Sequence, residues 1–131
     1  MPDASSRSKP STRPRASRKP VVRFRMRITG ESVAVGPGKI ALVEAIERTG
    51  SLTAAAKTMG MSYRRAWLLL DELNKSLRQP AVVAVRGGAK GGGCALTDSG
   101  RRLIEVYRRI EVVSAQANQA DIRALMSLLV R

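Results

Sequence analysis

The first patterned stretch of the chain alternates strictly between apolar and basic residues. From Val22 to Ile28 every second side chain is apolar and each residue between is an arginine, the period of two typical of a half-buried strand. Residues 29–32 supply a turn and residues 33–35 a short apolar return, so the pattern predicts a β-hairpin with one apolar and one basic face. Residues 1–20 carry only Ser, Thr, Pro, Ala, Met and charged side chains, and we expect them to form a disordered basic tail.

The apolar spacing changes to three and four residues after a Gly-Pro-Gly sequence at residues 36–38. Capping and helix-ending residues divide the next stretch into three predicted helices: from about Lys39 to Thr49, from the cap Ser51 to Gly60, and from the cap Ser62 to Pro80. In the third helix the predicted apolar stripe comprises Tyr63, Ala66, Trp67, Leu70, Leu73 and Leu77.

A second hairpin and two more helices are predicted in the remainder of the chain. Residues 82–85 and 94–96 read as strands on either side of the glycine-rich sequence GGAKGGG at residues 87–93. Thr97 or Asp98 caps a long helix, and Asp121 is placed to restart a short final one. The apolar stripe of the long helix consists of Leu103, Val106, Tyr107, Ile110, Val113 and Ala117.

Two helices joined by a tight glycine turn, followed by a hairpin, indicate a winged helix-turn-helix. In that motif the start of the second helix enters the major groove of DNA, and the hairpin, or wing, reaches the backbone beside it. The predicted DNA-contacting residues are Ser51, Thr53, Ser62, Tyr63, Arg64, Arg65, Arg86 and Lys90. The helix pair alone is equally compatible with an ordinary amphipathic hairpin carrying two solvated arginines; the basic wing favours DNA binding.

The charge of the chain agrees with a polyanionic partner. Twenty-four Lys and Arg against 10 Asp and Glu give a formal net charge of +14 at pH 7. Residues 1–27 hold nine basic residues and one acidic residue, so much of the excess lies ahead of the predicted motif. That distribution keeps two alternatives open. One is an architectural, nucleoid-type DNA binder of low sequence preference, and the other is an adaptor whose helices bind a protein.

The composition argues against several other classes of protein. The chain has no histidine and one cysteine, Cys94, which excludes a Cys–His zinc site, an intramolecular disulfide and a Ser–His or Cys–His catalytic pair. We therefore expect no enzymatic activity, no metal and no cofactor. No apolar run approaches a membrane span, so we expect a cytoplasmic, nucleoid-associated protein without a membrane partner. An arginine- and serine-rich, acid-poor start is also found in organelle transit peptides.

Four sequence segments together carry a family resemblance: GPGK at 36–39, GSLTAAAKTMGMSYRRAW at 50–67, GGAKGGG at 87–93 and LTDSGRRLIEVY at 96–107. From Gly36 to about Ile110 the chain resembles the N-terminal DNA-binding domain of ModE-type molybdate-responsive transcription regulators, and more distantly the LysR-type helix-turn-helix. The resemblance implies a cytoplasmic dimer. It also implies that Ser62, Arg64 and Arg65 lie on the recognition surface, whereas Trp67 and Leu70 lie in the core.

We accordingly expect an α+β, mostly α fold with an N-terminal β-hairpin and a long C-terminal dimerisation helix. The expected divisions are a tail at 1–20, a winged helix-turn-helix with its leading hairpin at 21–97, and a helical dimerisation segment at 98–131. Leu103, Tyr107, Ile110 and Val113 are the expected dimer contacts. The expected function is that of a homodimeric regulator, a repressor, on a pseudo-palindromic operator of molybdate-related genes.

Molybdate is expected not to bind tightly. In the full-length family it is held by C-terminal oxyanion-binding domains, and the sequence leaves no room for them before Arg131. The only candidate cradle of backbone N–H groups is the glycine-rich wing, which is already assigned to DNA phosphate.

Overall fold

The computed structural model describes residues 19–86 and 93–130. Five helices and four short strands follow one another in the order β1, β2, α1, α2, α3, β3, β4, α4, α5 across these two ranges. Their bounds are β1 Ile28–Thr29, β2 Ala34–Val35, α1 Pro37–Thr49, α2 Leu52–Thr58, α3 Tyr63–Ser76, β3 Val82–Val85, β4 Gly93–Leu96, α4 Asp98–Ala117 and α5 Gln119–Met126.

Helix α1 forms the centre of the core. Its start is favoured by Pro37 in the first turn, where a missing N–H costs nothing, and it ends at Gly50, whose φ of 74° is left-handed. Five α1 residues are buried, and α2, α3, β3, β4 and α4 contribute most of the others. The buried apolar residues are Val35, Ile40, Leu42, Val43, Ala45, Ile46, Leu52, Ala55, Ala56, Ala66, Leu70, Leu73, Ala81, Val82, Leu96 and Tyr107.

Helices α2 and α3 form the predicted helix-turn-helix, and both predicted caps are present. The Ser51 side chain accepts a hydrogen bond from the backbone N–H of Ala54 at 3.0 Å, and the Ser62 side chain accepts one from Arg65 at 3.1 Å. Gly60, between the two helices, has a φ of 69°. Helix α3 ends at Ser76, one turn before Pro80.

Strands β3 and β4 form the antiparallel wing, with Val82 opposite Leu96 and Val85 opposite Gly93. Hydrogen bonds at two places attach this ribbon to the helix-turn-helix. The N–H of Cys94 donates to the carbonyl of Gly50 at 3.0 Å, which joins β4 to the turn between α1 and α2. The Asn74 side chain accepts from the N–H of Ala81 at 2.8 Å and donates to the carbonyl of Val82 at 3.2 Å, which joins β3 to α3.

The leading hairpin is much shorter than the alternation predicts. Only Ile28–Thr29 pairs with Ala34–Val35, and residues 19–27 have no strand partner. The reason is that the return segment is limited to a few residues by the start of α1 at Pro37. The alternation persists as burial only at Phe24 and Met26, which are partly covered, with Arg25 exposed between them; Val22 and Ile28 are exposed.

The C-terminal half is helical as predicted, although its break lies earlier. Thr97 caps α4 by accepting from the N–H of Gly100 at 3.0 Å, and α5 begins at Gln119, two residues before the predicted restart at Asp121. Within residues 19–86 and 93–130, no helix is long and apolar enough to cross a membrane. The same residues contain no group of three or more His, Cys, Asp or Glu that could hold a metal ion.

Candidate nucleic-acid interface

The exposed face of α3 carries the predicted recognition residues. Ser62, Tyr63, Arg64 and Arg65 are all exposed, and they lie within the cap and first turn of the helix. That turn contains no acidic residue, so its two guanidinium groups add to the partial positive charge of the free N–H groups at the helix start. The structure thus brings these four residues together at the N-terminal end of α3. A helix that lies in the major groove contacts bases with this end.

The acidic residues further along α3 are paired with cations. Asp71 lies 2.9 Å from the ammonium of Lys75, one turn along the same helix, and Glu72 lies 3.0 Å from the ammonium of Lys39 on α1. The two ammonium groups thus offset the negative charge of the two carboxylates. The start of α3 therefore remains the more positive end of the exposed face.

The two predicted residues at the start of α2 differ in exposure and in role. Ser51 is half-buried and its hydroxyl oxygen is used in the helix cap, whereas Thr53 is exposed in the first turn. A capping hydroxyl still carries a hydrogen that can be donated outward. Ser51 and Ser62 are thus available as donors, and each has a structural role as well.

The wing places Arg86 directly after β3, where its side chain is exposed. Lys90, the other predicted wing contact, lies outside the described residues. The attachments of the wing at Gly50 and Asn74 join it both to the turn that precedes α2 and to the last turn of α3. The wing that carries Arg86 is therefore directly hydrogen-bonded to the helix-turn-helix that contains α3.

Trp67 does not lie in the core, and this corrects the placement that the family resemblance implied. Its side chain is 47% exposed, whereas Leu70 is buried as expected. Successive residues of a helix are rotated by about 100°. Ala66 is fully buried, and Trp67, rotated by this angle from it, lies outside the buried face of α3. Tyr63, which the sequence pattern placed on the same apolar stripe, is also exposed, so two members of the predicted stripe lie outside the core.

The predicted dimer stripe on α4 divides into two parts. Leu103 packs against the core and Tyr107 is only 2% exposed, with its hydroxyl donating to the carbonyl of Met26 at 2.6 Å. Tyr107 therefore belongs to the core of its own chain, which corrects its placement among the dimer contacts. Ile110 and Val113 remain exposed, Val113 by 52%. The first half of α4 is thus covered by its own chain, and the second half carries the exposed apolar residues.

A charged cluster that the sequence patterns did not indicate connects α4 to α1. The Arg108 guanidinium donates to both carboxylate oxygens of Glu44, at 2.8 and 2.6 Å, and to Glu111 at 2.7 Å. The hydrogen bond from Arg108 lowers the pKa of Glu44 below its usual value, and Glu44 in turn raises the pKa of Arg108. Only the Arg108–Glu111 pair, three residues apart on one helix, had a local signal.

A groove of about 710 Å³ lies beside this cluster. It is bounded by residues 22–25, the first half of α1, the second half of α4, and α5. Its apolar lining comes from residues on all of these elements: Val22, Phe24, Pro37, Ala41, Val112, Ala115 and Ile122. The exposed apolar surface of α4 is continuous with this groove through Val112.

Residues 38–101 match the family of bacterial regulatory helix-turn-helix proteins of the LysR type. The chain is 45% identical over 84 residues to the molybdenum transport protein ModE of Azotobacter vinelandii, covering 64% of this chain and 31% of that protein. It is 36% identical over 81 residues to the DNA-binding transcriptional dual regulator ModE of Escherichia coli K12, covering 62% and 31%. The chain thus spans about a third of the length of these curated relatives.

Among solved structures, the chain is similar to the DNA-binding domain in the CbnR_DBD–DNA complex. The TM-score is 0.52 at 20% identity, over 67% of this chain and 95% of that one. This likeness concerns the fold and confirms the mostly α, winged helix-turn-helix class. The relatives confirm the resemblance to the N-terminal region of ModE-type proteins. The Escherichia coli relative is named as a DNA-binding transcriptional dual regulator, in line with the regulator that the sequence analysis expected.

Proposed function

The chain carries a LysR-type helix-turn-helix domain of the kind found in ModE proteins, and from this premise we propose that it is a sequence-specific DNA-binding transcription regulator. It acts as a homodimeric repressor on a pseudo-palindromic operator. The observation that supports this most directly is the exposed, acid-free first turn of α3, which carries Arg64 and Arg65.

In this proposal α3 enters the major groove and the wing contacts the backbone beside it. An arginine can donate to both acceptors on the major-groove edge of guanine, so Arg64 and Arg65 are the base-reading residues. Arg86 binds phosphate, and the hydroxyls of Ser62 and Thr53 donate to phosphate at the groove edge. Phosphate contacts position the domain, while base contacts select the sequence.

The dimer forms through the second half of α4. Ile110, Val112 and Val113 are each more than 40% exposed and lie on one end of a 20-residue helix. A second copy related by a twofold axis would bury the same surface on both chains and place two α3 helices for a palindromic site. Because the matched relatives are named for molybdenum transport and regulation, we place the operator upstream of molybdate-related genes.

The test begins with selection of bound duplexes from a random DNA library by the full 131-residue chain. Affinities for the selected duplex and for a scrambled one are then compared at fixed salt by fluorescence anisotropy. Arg64→Ala or Arg65→Ala should reduce discrimination between the two duplexes by about 1–3 kcal/mol. The matched control is Arg123→Ala, which removes an exposed arginine on α5. If both α3 variants discriminate like the wild type at unchanged thermal stability, α3 is not the recognition helix.

The charge distribution supports a second candidate, an architectural binder of low sequence preference. Nine of the 24 basic residues fall in residues 1–27, ahead of the helix-turn-helix. Such a protein would owe its affinity to phosphate neutralisation and would bind every duplex with similar affinity. Selection that enriches no sequence, together with strongly salt-dependent binding, would favour this candidate over the first.

A further inference from the structure

Helix α3 exposes large apolar side chains on the same face as its recognition arginines. Tyr63 is 54% exposed, Trp67 is 47% exposed and Leu68 is 46% exposed. Single exposed apolar residues are common on protein surfaces, whereas three large ones on one helix face, two of them aromatic, form a candidate binding surface.

These side chains surround Arg64. Trp67 lies three residues after it and Leu68 four residues after it, and both spacings place side chains next to each other on a helix surface. Tyr63, Arg64 and Trp67 together line a shallow indentation of about 310 Å³. This indentation has two aromatic walls and one cationic side chain, and it opens on the outer side of α3.

The charge of this face indicates which kind of partner it can bind. The first turn of α3 contains no acidic residue, while Arg64 and Arg65 are exposed. An apolar surface bordered by two guanidinium groups fits a partner that is both anionic and locally apolar. In the major groove of DNA, the C5 methyl group of thymine is the apolar feature that bases present, beside acceptors for arginine.

On the basis of the proposed function, we infer that Trp67, together with Tyr63 and Leu68, is a thymine-reading surface. The indentation between Tyr63, Arg64 and Trp67 receives a thymine methyl group. Arg64 meanwhile reaches the neighbouring base edge or phosphate. Trp67 is thus a specificity-determining residue that acts by apolar contact.

The helix geometry sets where that thymine must be. Residues three apart along a helix are separated by about 4.5 Å along its axis, whereas successive base pairs are separated by about 3.4 Å. A base contacted by Arg64 and a methyl contacted by Trp67 are therefore one or two base pairs apart. Each half of the operator should contain a thymine at that distance from its arginine-contacted base.

The test replaces each thymine of the selected duplex with uracil, which deletes only the methyl group. Removing one buried methyl-sized group costs about 0.8 kcal/mol, which corresponds to about fourfold in affinity. We expect the wild-type chain to bind about fourfold more weakly at one or two thymine positions per half-site and equally well at the others. Trp67→Ala should bind thymine and uracil equally at those positions, and Trp67→Phe should retain part of the difference.

Ile28→Ala is the matched control, since Ile28 is 50% exposed but lies on β1. This variant should keep the full preference for thymine. The thermal midpoints of all variants are measured to establish that they fold. The inference is overturned if the wild type binds selectively but shows no preference for thymine over uracil at any position. It is equally overturned if Trp67→Ala preserves that preference.

The proposed function can fail separately from this inference. If selection enriches no sequence at all, the proposed sequence-specific regulator is wrong, and the thymine-reading surface is wrong with it. If binding is selective and only the methyl preference is missing, the regulator remains and only the role of Trp67 is refuted. In that case an apolar protein partner becomes the alternative occupant of this face.

Discussion

Two glycines in the first turns of two helices should respond in opposite ways to the same substitution. Gly38 is the second residue of α1, and a Cβ built on it meets no atom within 4 Å. Gly100 is the third residue of α4, and a Cβ built there would collide with the carbonyl oxygen of Ala81 and lie 3.0 Å from its carbon. Gly38→Ala should therefore stabilise the protein, whereas Gly100→Ala should destabilise it.

The magnitudes follow from what each new methyl group encounters. Replacing glycine with alanine where the backbone allows it stabilises a protein by about 0.4–1 kcal/mol, because the unfolded chain loses freedom. At Gly100 the collision is with backbone that cannot rotate aside, since the carbonyl of Ala81 accepts a hydrogen bond from the N–H of Thr97 at 2.9 Å. Overpacking costs about 1–3 kcal/mol. Separating α4 from β3 would also weaken the bond from Thr97, which is worth about 1 kcal/mol.

Gly100→Ala should thus lose about 2–4 kcal/mol, a large share of the about 5–15 kcal/mol that stabilises a typical domain. Urea unfolding followed by circular dichroism, at one fixed protein concentration, measures both variants. The thermal midpoint should fall by roughly 10 °C or more for Gly100→Ala and rise by a few degrees for Gly38→Ala. If Gly100→Ala unfolds within about 0.5 kcal/mol of the wild type, the close approach of α4 to β3 is incorrect.

Three further predictions test the wing, the dimer and the charged cluster. Arg86→Ala should weaken binding to all duplexes about equally and reduce the slope of log affinity against log salt by about one; a sequence-selective loss would instead indicate base contact. Val113→Asp should give the mass of a monomer by light scattering at micromolar concentration, where the wild type gives a dimer, and a wild-type monomer would contradict the proposed interface. The pKa of Glu44 is lowered by Arg108, so this pair stabilises the protein above the ordinary carboxyl pKa and the effect disappears as the pH falls through the lowered value. Glu44→Gln should therefore be less stable than the wild type at pH 7 in urea, and the difference should shrink toward pH 3; a constant difference would contradict the pairing.

Local signals were sufficient to predict most of the helix-turn-helix. Ser51, Ser62 and Thr97 act as caps within three residues of the N–H groups that they accept from, so sequence alone predicts them. The basic start of α3 was predicted for the same reason, because its exposure follows from helix periodicity and from the position of Ser62. These features depend on contacts between residues that are close in the chain.

Features that depend on distant partners were predicted less well. The alternation at residues 22–28 has the period of a strand, but a strand also needs a partner of equal length, and α1 begins too early to leave one. The sequence pattern predicts Tyr107 as a dimer contact because it does not reveal that the hydroxyl donates to the carbonyl of Met26, which is 81 residues away. The bond between Arg108 and Glu44 spans 64 residues and left no periodic signal. Periodicity shows which residues share a face, and it does not show which neighbour covers that face.

The two attachments of the wing to the helix-turn-helix have a consequence for how related chains diverge. Strand β4 is joined through Cys94 to the turn at Gly50, and strand β3 is joined to α3 through Asn74. Each strand therefore has its own contact with the helix-turn-helix. In the proposed mode of DNA binding, residues inserted or deleted between Arg86 and Gly93 would therefore change how far the wing extends along DNA without displacing α3. If the domain binds DNA as proposed, evolution can thus alter its footprint on the phosphate backbone while the bases read by α3 stay the same.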